Sequence, residues 1–214
     1  MDPRAQLLDL LATLSFTPGH FTLASGQKSD YYIDCRVTTL HAEGGRLSGI
    51  VLLDLIREQF PTALAIGGLT MGADPLVSNT ASASAWELAD HLEFKELAPE
   101  EEHGNPPTLL HGFLVRKSEK AHGTGRRIEG FVQPNAPVVI VDDVCTTGAS
   151  TINAIEATRE AGMQVLGVLC LVDREQGGRL EIERALAQTP GNENPQFISV
   201  FTANDVRKAK ARIA

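Results

Sequence analysis

Cysteine is scarce in this chain: Cys35, Cys145 and Cys170 stand far apart among 214 residues, without the spacing of metal ligands. An odd, scattered set excludes a disulfide framework and reads as reduced thiols, so a cytoplasmic setting is expected. Basic charge is short as well. Nineteen lysines and arginines against 27 acidic residues leave a net charge of −8, which argues against wholesale binding to nucleic acid or to an anionic membrane. No apolar run approaches membrane-spanning length, and the first residues lack the basic-then-apolar pattern of a signal peptide. There is no G-x-x-x-x-G-K-[ST] loop to cradle a nucleoside triphosphate, and no internal repeat. What remains is enough chain for one well-buried α/β domain with extra pieces, expected to be a soluble enzyme.

The most informative stretch is residues 137–151. Pro137, Val138, Val139, Ile140 and Val141 form an apolar, largely β-branched run that predicts a strand buried on both faces, and Asp142 and Asp143 follow where it leaves the sheet. Val144, Cys145, Thr146, Thr147, Gly148, Ala149, Ser150 and Thr151 then lead to Ile152, Ala154, Ile155 and Ala157 at helical spacing. A strand, a tight loop and a helix N-terminus make a phosphate site, because unpaired backbone N–H groups and the helix dipole point at the ligand. Gly148 lets the backbone come close, and the hydroxyls add donors without bulk. The two aspartates would repel a phosphate and suit sugar hydroxyls or a hydrated Mg²⁺. The ligand therefore carries a phosphate at one end and a diol or metal at the other. Cys145 reads as a small residue tolerated in the loop, since no partner base is evident for a catalytic thiol. The plainer alternative, a doubly wound domain with an Asp-Asp pair for Mg²⁺ in a phosphotransfer receiver, leaves the Thr-Thr-Gly-Ala-Ser run unexplained.

Other segments take their places around this one. Asp2 caps a helix with Pro3 in its first turn and Leu7, Leu8, Leu11 and Leu14 on one face. Alternation predicts strands at 21–23 and 31–35 around a polar turn at Ser25 and Gly26, so that adjacent Tyr31 and Tyr32 point to opposite faces. Without further information, one core and one surface tyrosine is the default. A helical stretch over 47–55 ends at Pro61, a short strand spans 63–66, and a Gly-rich turn at 67–75 enters another helix. Residues 93–107 are acidic and apolar-poor and predict a surface excursion before a strand at 109–115. Arg116, Lys117, Lys120, His122, Arg126 and Arg127 then gather positive charge among three glycines. A solvated loop or a nucleic-acid patch is the usual meaning of such a run, but no aromatics interleave it for base stacking. A second buried strand at 165–172 ends in Asp173-Arg174, where an arginine in the crevice of an open sheet can hold a carboxylate; an ion pair with Asp173 or Glu175 is the alternative. A helix over 180–188, a loop at 189–195, a strand at 197–201 and a basic helix at 205–212 complete the chain.

The run 138–151 resembles the 5-phosphoribosyl-1-pyrophosphate (PRPP) signature of type I phosphoribosyltransferases, and the tyrosine segment 21–36 and basic loop 114–130 are similar to those of orotate phosphoribosyltransferases. The resemblance implies a mostly parallel central sheet flanked by helices, with residues 1–36 as an N-terminal hood that binds the base, 93–107 as a surface insertion and 116–130 as a flexible catalytic loop. It implies transfer of the phosphoribosyl group from PRPP to orotate, with Mg²⁺ held mainly through PRPP and water near Asp142 and Asp143. Ser25, Gly26, Tyr31, Tyr32, Thr146 and Arg174 would bind orotate. Lys28, Thr70, Met71, Gly72, Arg116, Lys117, Lys120, His122 and residues 142–150 would bind PRPP, with Lys120, His122, Asp142 and Asp143 catalytic. Many relatives carry a lysine where this chain has Ala24, with Lys28 the nearby substitute, and some carry one where it has Met71. The loop of one subunit would close over the diphosphate in its neighbour, making a homodimer without nucleic acid or membrane partners. Transfer to a purine or to uracil, and a PRPP-sensing regulator, are the remaining alternatives; the regulator lacks a DNA-binding helix pair.

Overall fold

The computed structural model describes residues 2–22, 28–98, 104–117, 127–188 and 196–213. Asp2 caps α1 (Pro3–Leu10), its carboxylate accepting the Arg4 N–H at 3.1 Å, and a π-helical turn (Leu11–Ser15) prolongs the helix. A hairpin of β1 (Phe16–Thr22) and β2 (Lys28–Ile33) follows, antiparallel and set apart from the main sheet. Its first strand starts earlier than alternation predicted, and its second ends before Cys35. There Asp34 accepts the Arg36 N–H and caps α2 (Cys35–Thr39), so a local cap overrides the extended pattern. Then come α3 (Ala42–Gln59), β3 (Ala65–Leu69), α4 (Ala73–Leu97), β4 (His111–Val115) and β5 (Ile128–Gly130). The chain finishes through β6 (Pro137–Cys145), α5 (Ala149–Glu160), β7 (Gln164–Asp173), α6 (Gly178–Leu186), β8 (Gln196–Thr202) and α7 (Ala203–Ile213).

The main sheet has six strands in the order β5-β4-β3-β6-β7-β8, parallel throughout except for β5. This is the mostly parallel sheet that the resemblance implied. Val138 to Val141 are at most 1% exposed because β6 is covered on both faces. Val139 and Val141 pack into a cluster with Leu7, Leu52, Ile56 and Leu171, while Val138 and Ile140 pack into a second with Ile155, Val165 and Ile182. Each such side chain contributes roughly 1.5–3 kcal/mol relative to exposure, which holds the end of β6 in one place.

Two expectations need correction. The surface excursion expected at 93–107 starts as helix, since residues 93–97 are the last turns of α4. Leu92, Glu93, Phe94, Lys95, Glu96 and Leu97 are exposed, so helix propensity and not burial carries the helix on, until Ala98 caps it. The basic loop is also shorter than 116–130. Ile128–Gly130 pairs antiparallel with β4, with Ile128 only 6% exposed, and burial of that apolar residue draws the segment into the sheet edge. Arg127 bonds to Glu160 and Asn153 of α5 at 3.1 and 2.9 Å and so belongs to the scaffold.

Gly68 in β3 links fold to site. A Cβ there would meet the Val141 carbonyl oxygen and lie 2.6 Å from the Ala73 Cβ, pushing on the residue that precedes Asp142. Gly68→Ala is expected to lower stability by about 1–3 kcal/mol through overpacking, whereas Gly104→Ala, with open space around it, leaves the denaturation midpoint unchanged; paired urea titrations check both.

Candidate active site

In an open parallel sheet, ligands bind beyond the carboxyl ends of the strands where the strand order reverses. Here that point lies between β3 and β6, since the chain proceeds outward through β4 on one side and through β7 on the other. A cavity of about 290 Å³ opens there, lined by Asp142, Asp143, Val144 and Ser150 from the β6–α5 connection and by Leu69, Thr70, Met71 and Gly72 from the β3–α4 turn. Lys117 and residues Tyr32 to Asp34 and Arg36 complete the wall.

The two acids differ in setting. Asp142 is 7% exposed; its Oδ2 accepts from the Thr151 hydroxyl at 2.6 Å and its Oδ1 from the Asp143 N–H at 3.0 Å. Burial, with Asp143 beside it, pushes the Asp142 carboxyl up to about 7. Asp143 is half-buried, accepts the Val144 N–H at 3.0 Å and is also raised, chiefly by burial, with Arg36 acting in the opposite sense. It faces the turn: a Cβ on Gly72 would strike the Asp143 carboxylate. The site thus holds negative charge without full compensation, next to backbone donors suited to an anion.

Those donors come from residues 146–150. Gly148 sits at φ +81°, a conformation side chains resist, and caps α5. The loop rests on the start of α6, where the Gly178 N–H donates to the Thr146 carbonyl at 3.1 Å and a Cβ on Gly178 would fall 2.6 Å from the Cys145 sulfur. Thr147, Ala149 and Ser150 are exposed and Thr146 half-buried, while Cys145 is 1% exposed and points into the core. All three cysteines are free and buried.

The remaining expected residues divide. Thr70 donates its N–H to the Val115 carbonyl at 2.9 Å, tying the turn to the start of the basic loop, and the Thr70–Met71 peptide is cis. Lys117 reaches the cavity wall, but Arg116 turns toward Glu129 at 3.5 Å. Lys28 lines a separate cleft on the hairpin with His20, Phe21 and Asp30. Tyr31 and Tyr32 follow the default division: Tyr31 is 8% exposed and stacks on Phe16 at 5.4 Å, while Tyr32 is 42% exposed and faces the cavity. Arg174 lies over the Tyr31 ring at 4.8 Å and donates to the Ser29 hydroxyl at 3.2 Å. Its Nε is buried with no partner among the described residues, and Asp173 pairs instead with Arg179 at 3.4 Å. Because the Arg174 N–H donates to the Cys145 carbonyl at 2.9 Å, this guanidinium is rooted beside the start of the β6–α5 loop. Ser25, Gly26, Lys120 and His122 lie outside the described residues.

Sequence reading missed Arg36, Asp34, Ser29 and Arg207. Arg207, from α7, also approaches the Tyr31 ring, at 4.9 Å. A signal for Arg36 existed in the Asp34-Cys35-Arg36 triplet at the end of a strand, but only the fold brings it to the acids. A roomier cleft of about 680 Å³ lies between α3 and α4, lined by Arg46, Asp54, Trp86 and Glu87. It is lined by neither the acids nor the β6–α5 loop, so size is the wrong criterion here.

Residues 129–203 match the family described as "Phosphoribosyl transferase domain". The chain is 39% identical over 206 residues to the orotate phosphoribosyltransferase of Synechocystis, covering 96% of this chain and 89% of that protein. It is 38% identical over 178 residues to the orotate phosphoribosyltransferase of Rhodopirellula baltica, covering 81% and 82%. Among solved structures, the Mycobacterium tuberculosis orotate phosphoribosyltransferase in complex with PRPP superposes with a TM-score of 0.67 at 29% identity, covering 96% of this chain and 99% of that one.

The raised Asp142 carboxyl makes stability depend on pH. Between about pH 4 and 7 the folded chain keeps a proton that the unfolded chain has released, so stability falls as pH rises through that window. Asp142→Asn removes the titration. It is expected to raise the unfolding free energy at pH 8 by up to a few kcal/mol, since each tenfold change in proton affinity is worth about 1.4 kcal/mol, and to change it little at pH 4. Urea titrations at the two pH values check this, and an equal effect at both contradicts the assignment.

Proposed function

The chain belongs to the orotate phosphoribosyltransferase family, and on that premise we propose how its residues divide the work. It transfers the 5-phosphoribosyl group from PRPP to orotate, giving orotidine 5′-monophosphate and diphosphate, a step of pyrimidine biosynthesis. The observation that carries the assignment of roles is a single cavity at the switch point, which joins the Asp142–Asp143 pair, the turn Thr70 to Gly72, Lys117 and the first residues of α5.

A bond forms between the pyrimidine nitrogen and C1′ while the C1′–O bond to diphosphate breaks, so positive charge develops on the ribose and negative charge on the leaving group. The protein lowers the barrier by holding the partners in line and meeting both charges. Asp142 and Asp143 accept from the ribose hydroxyls and favour the cationic sugar. Residues 146–150 anchor the 5′-phosphate through backbone N–H groups and hydroxyls. Thr70, Met71 and Gly72 meet the diphosphate through backbone groups. Tyr32, Thr146 and Arg174 receive the base, and the orphaned Arg174 Nε supports this role because it is a buried donor awaiting an acceptor such as a carboxylate. Ser25, Gly26 and Tyr31 complete the base pocket.

Two adjacent carboxyls, both raised by burial and Asp142 further raised by Asp143, suit a hard cation reached through water and substrate oxygens, so Mg²⁺ fits beside Asp142 and Asp143. When bound, it neutralises part of the diphosphate charge. Arg116, Lys117, Lys120 and His122 supply the remainder, with Lys120 at the leaving oxygen. Lys117 acts from the wall of its own subunit's cavity, and the others act from a lid lent by a second copy, whose closure excludes water and strengthens each contact. No helix among the described residues is long and apolar enough to cross a membrane, and free buried thiols favour a reducing cytoplasm.

The test is loss of orotate absorbance on addition of PRPP and Mg²⁺, with uracil in a parallel cuvette. Consumption of orotate alone is expected; activity with uracil only overturns the base assignment. In the same assay Arg174→Ala is expected to raise the KM for orotate by about tenfold or more, the worth of a charge-assisted hydrogen bond, with a smaller change for PRPP. An unchanged orotate KM removes Arg174 from base recognition.

A further inference from the structure

Arg36 stands in the cavity with no role in the scheme above. Its Nε and Nη2 donate to the two oxygens of Asp34 at 2.9 and 2.8 Å, and Asp34 in turn accepts the Arg36 N–H at 3.1 Å. Those two bonds use two of the five guanidinium donors. The other three have no partner among the described residues, and the side chain keeps 42% of its surface open. Asp34 thus fixes one edge of a planar cation and leaves the other edge free.

The surroundings say what that edge meets. Arg36 lines the same wall as Asp142, Asp143, Thr70, Met71 and Lys117. Its charge reaches the acids, since it acts to lower the Asp143 carboxyl against the effect of burial. Met71, 66% exposed on that wall, brings no charge. Among the described residues, Arg36 and Lys117 are therefore the only lysine or arginine side chains lining the cavity. A triply charged leaving group set beside two carboxylates needs fixed positive charge close at hand. A guanidinium clamped on one side and open on the other offers a two-toothed contact to phosphate oxygens.

We infer that Arg36 binds the diphosphate end of PRPP and steadies it as it leaves, with Asp34 as its positioning residue. The inference rests on the reading of this cavity as a PRPP site. It adds a cation that arises within the same subunit, rooted between the hairpin and α2, and does not wait for a lid to close.

Steady-state kinetics on the full chain test it, with PRPP and orotate varied in turn and diphosphate used as product inhibitor. Arg36→Ala is expected to raise the KM for PRPP and the inhibition constant for diphosphate by about tenfold or more, while the orotate KM moves far less. Adding Met71→Lys to Arg36→Ala is expected to recover much of both losses, because a lysine there extends from the same wall. A merely structural role predicts a lowered melting temperature, kinetic constants close to wild type and no recovery by Met71→Lys. If Arg36→Ala does not fold, Arg36→Gln, which keeps an N–H for Asp34, is measured in its place. A folded variant with wild-type constants for PRPP and diphosphate overturns the inference, as does a loss confined to orotate. Wild-type protein inert toward PRPP and orotate overturns the underlying reading instead, so the two failures are told apart.

Discussion

Two carboxyl groups on consecutive residues, at the end of a strand covered on both faces, create the constraint around which this molecule is built. Burial raises both, and Asp143 makes ionisation of Asp142 harder still, so that the Asp142 carboxyl is pushed up to about 7. Such a pair persists only where the surrounding structure leaves it no retreat. The interior of β6 is sealed between two apolar clusters, Gly68 lets β3 and α4 close over Val141, and Thr151 fixes one Asp142 oxygen from the first turn of α5. The energy of the core is thereby turned into position, and the acids stand ready for a ligand that brings hydroxyls and a cation.

The rest of the site complements that negative focus. On the reading proposed above, the start of α5 offers N–H groups to a phosphate; Gly148 and Gly178 let the loop lie close on α6, and Arg174 follows the end of β7 with an unused donor. Arg36, held by Asp34, brings a fixed cation into the same cavity. Anion cradle, acids and cations alternate across a few side chains, the charge order of a phosphorylated sugar carrying a second anionic group. The Tyr31 ring, in contact with Phe16 and with the guanidiniums of Arg174 and Arg207, ties the hairpin to the end of β7 and to α7.

Where local chemistry and burial pointed the same way, the chain could be read directly. Residues 137–151 announced a strand, an acid pair and a tight turn into a helix; the strand and the turn stand, with Gly148 capping α5, but the strand runs on through Cys145, so the acids lie within its last residues and not beyond it. Reading failed where two signals competed. The charge of 93–97 suggested a surface excursion, yet helix propensity carries α4 through Leu97; the arginines of 116–130 drew attention away from Ile128, whose burial makes an edge strand. Tyr31 and Tyr32 could be assigned to opposite faces from their adjacency, but which of them meets the core depended on Phe16.

What the amino-acid order determined without help is local: the buried strand, the two acids at its end, the turn that only glycine allows and the helix that follows, because each depends on neighbours within a few residues. What only the tertiary structure decided is which distant side chains share the cavity. Arg36, Met71, Lys117 and Asp143 are separated by tens of residues and carry no common pattern; they meet because the strand order reverses between β3 and β6 and opens a crevice there. Charge compensation acts through space and not along the chain, and so it became visible only once the sheet was assembled.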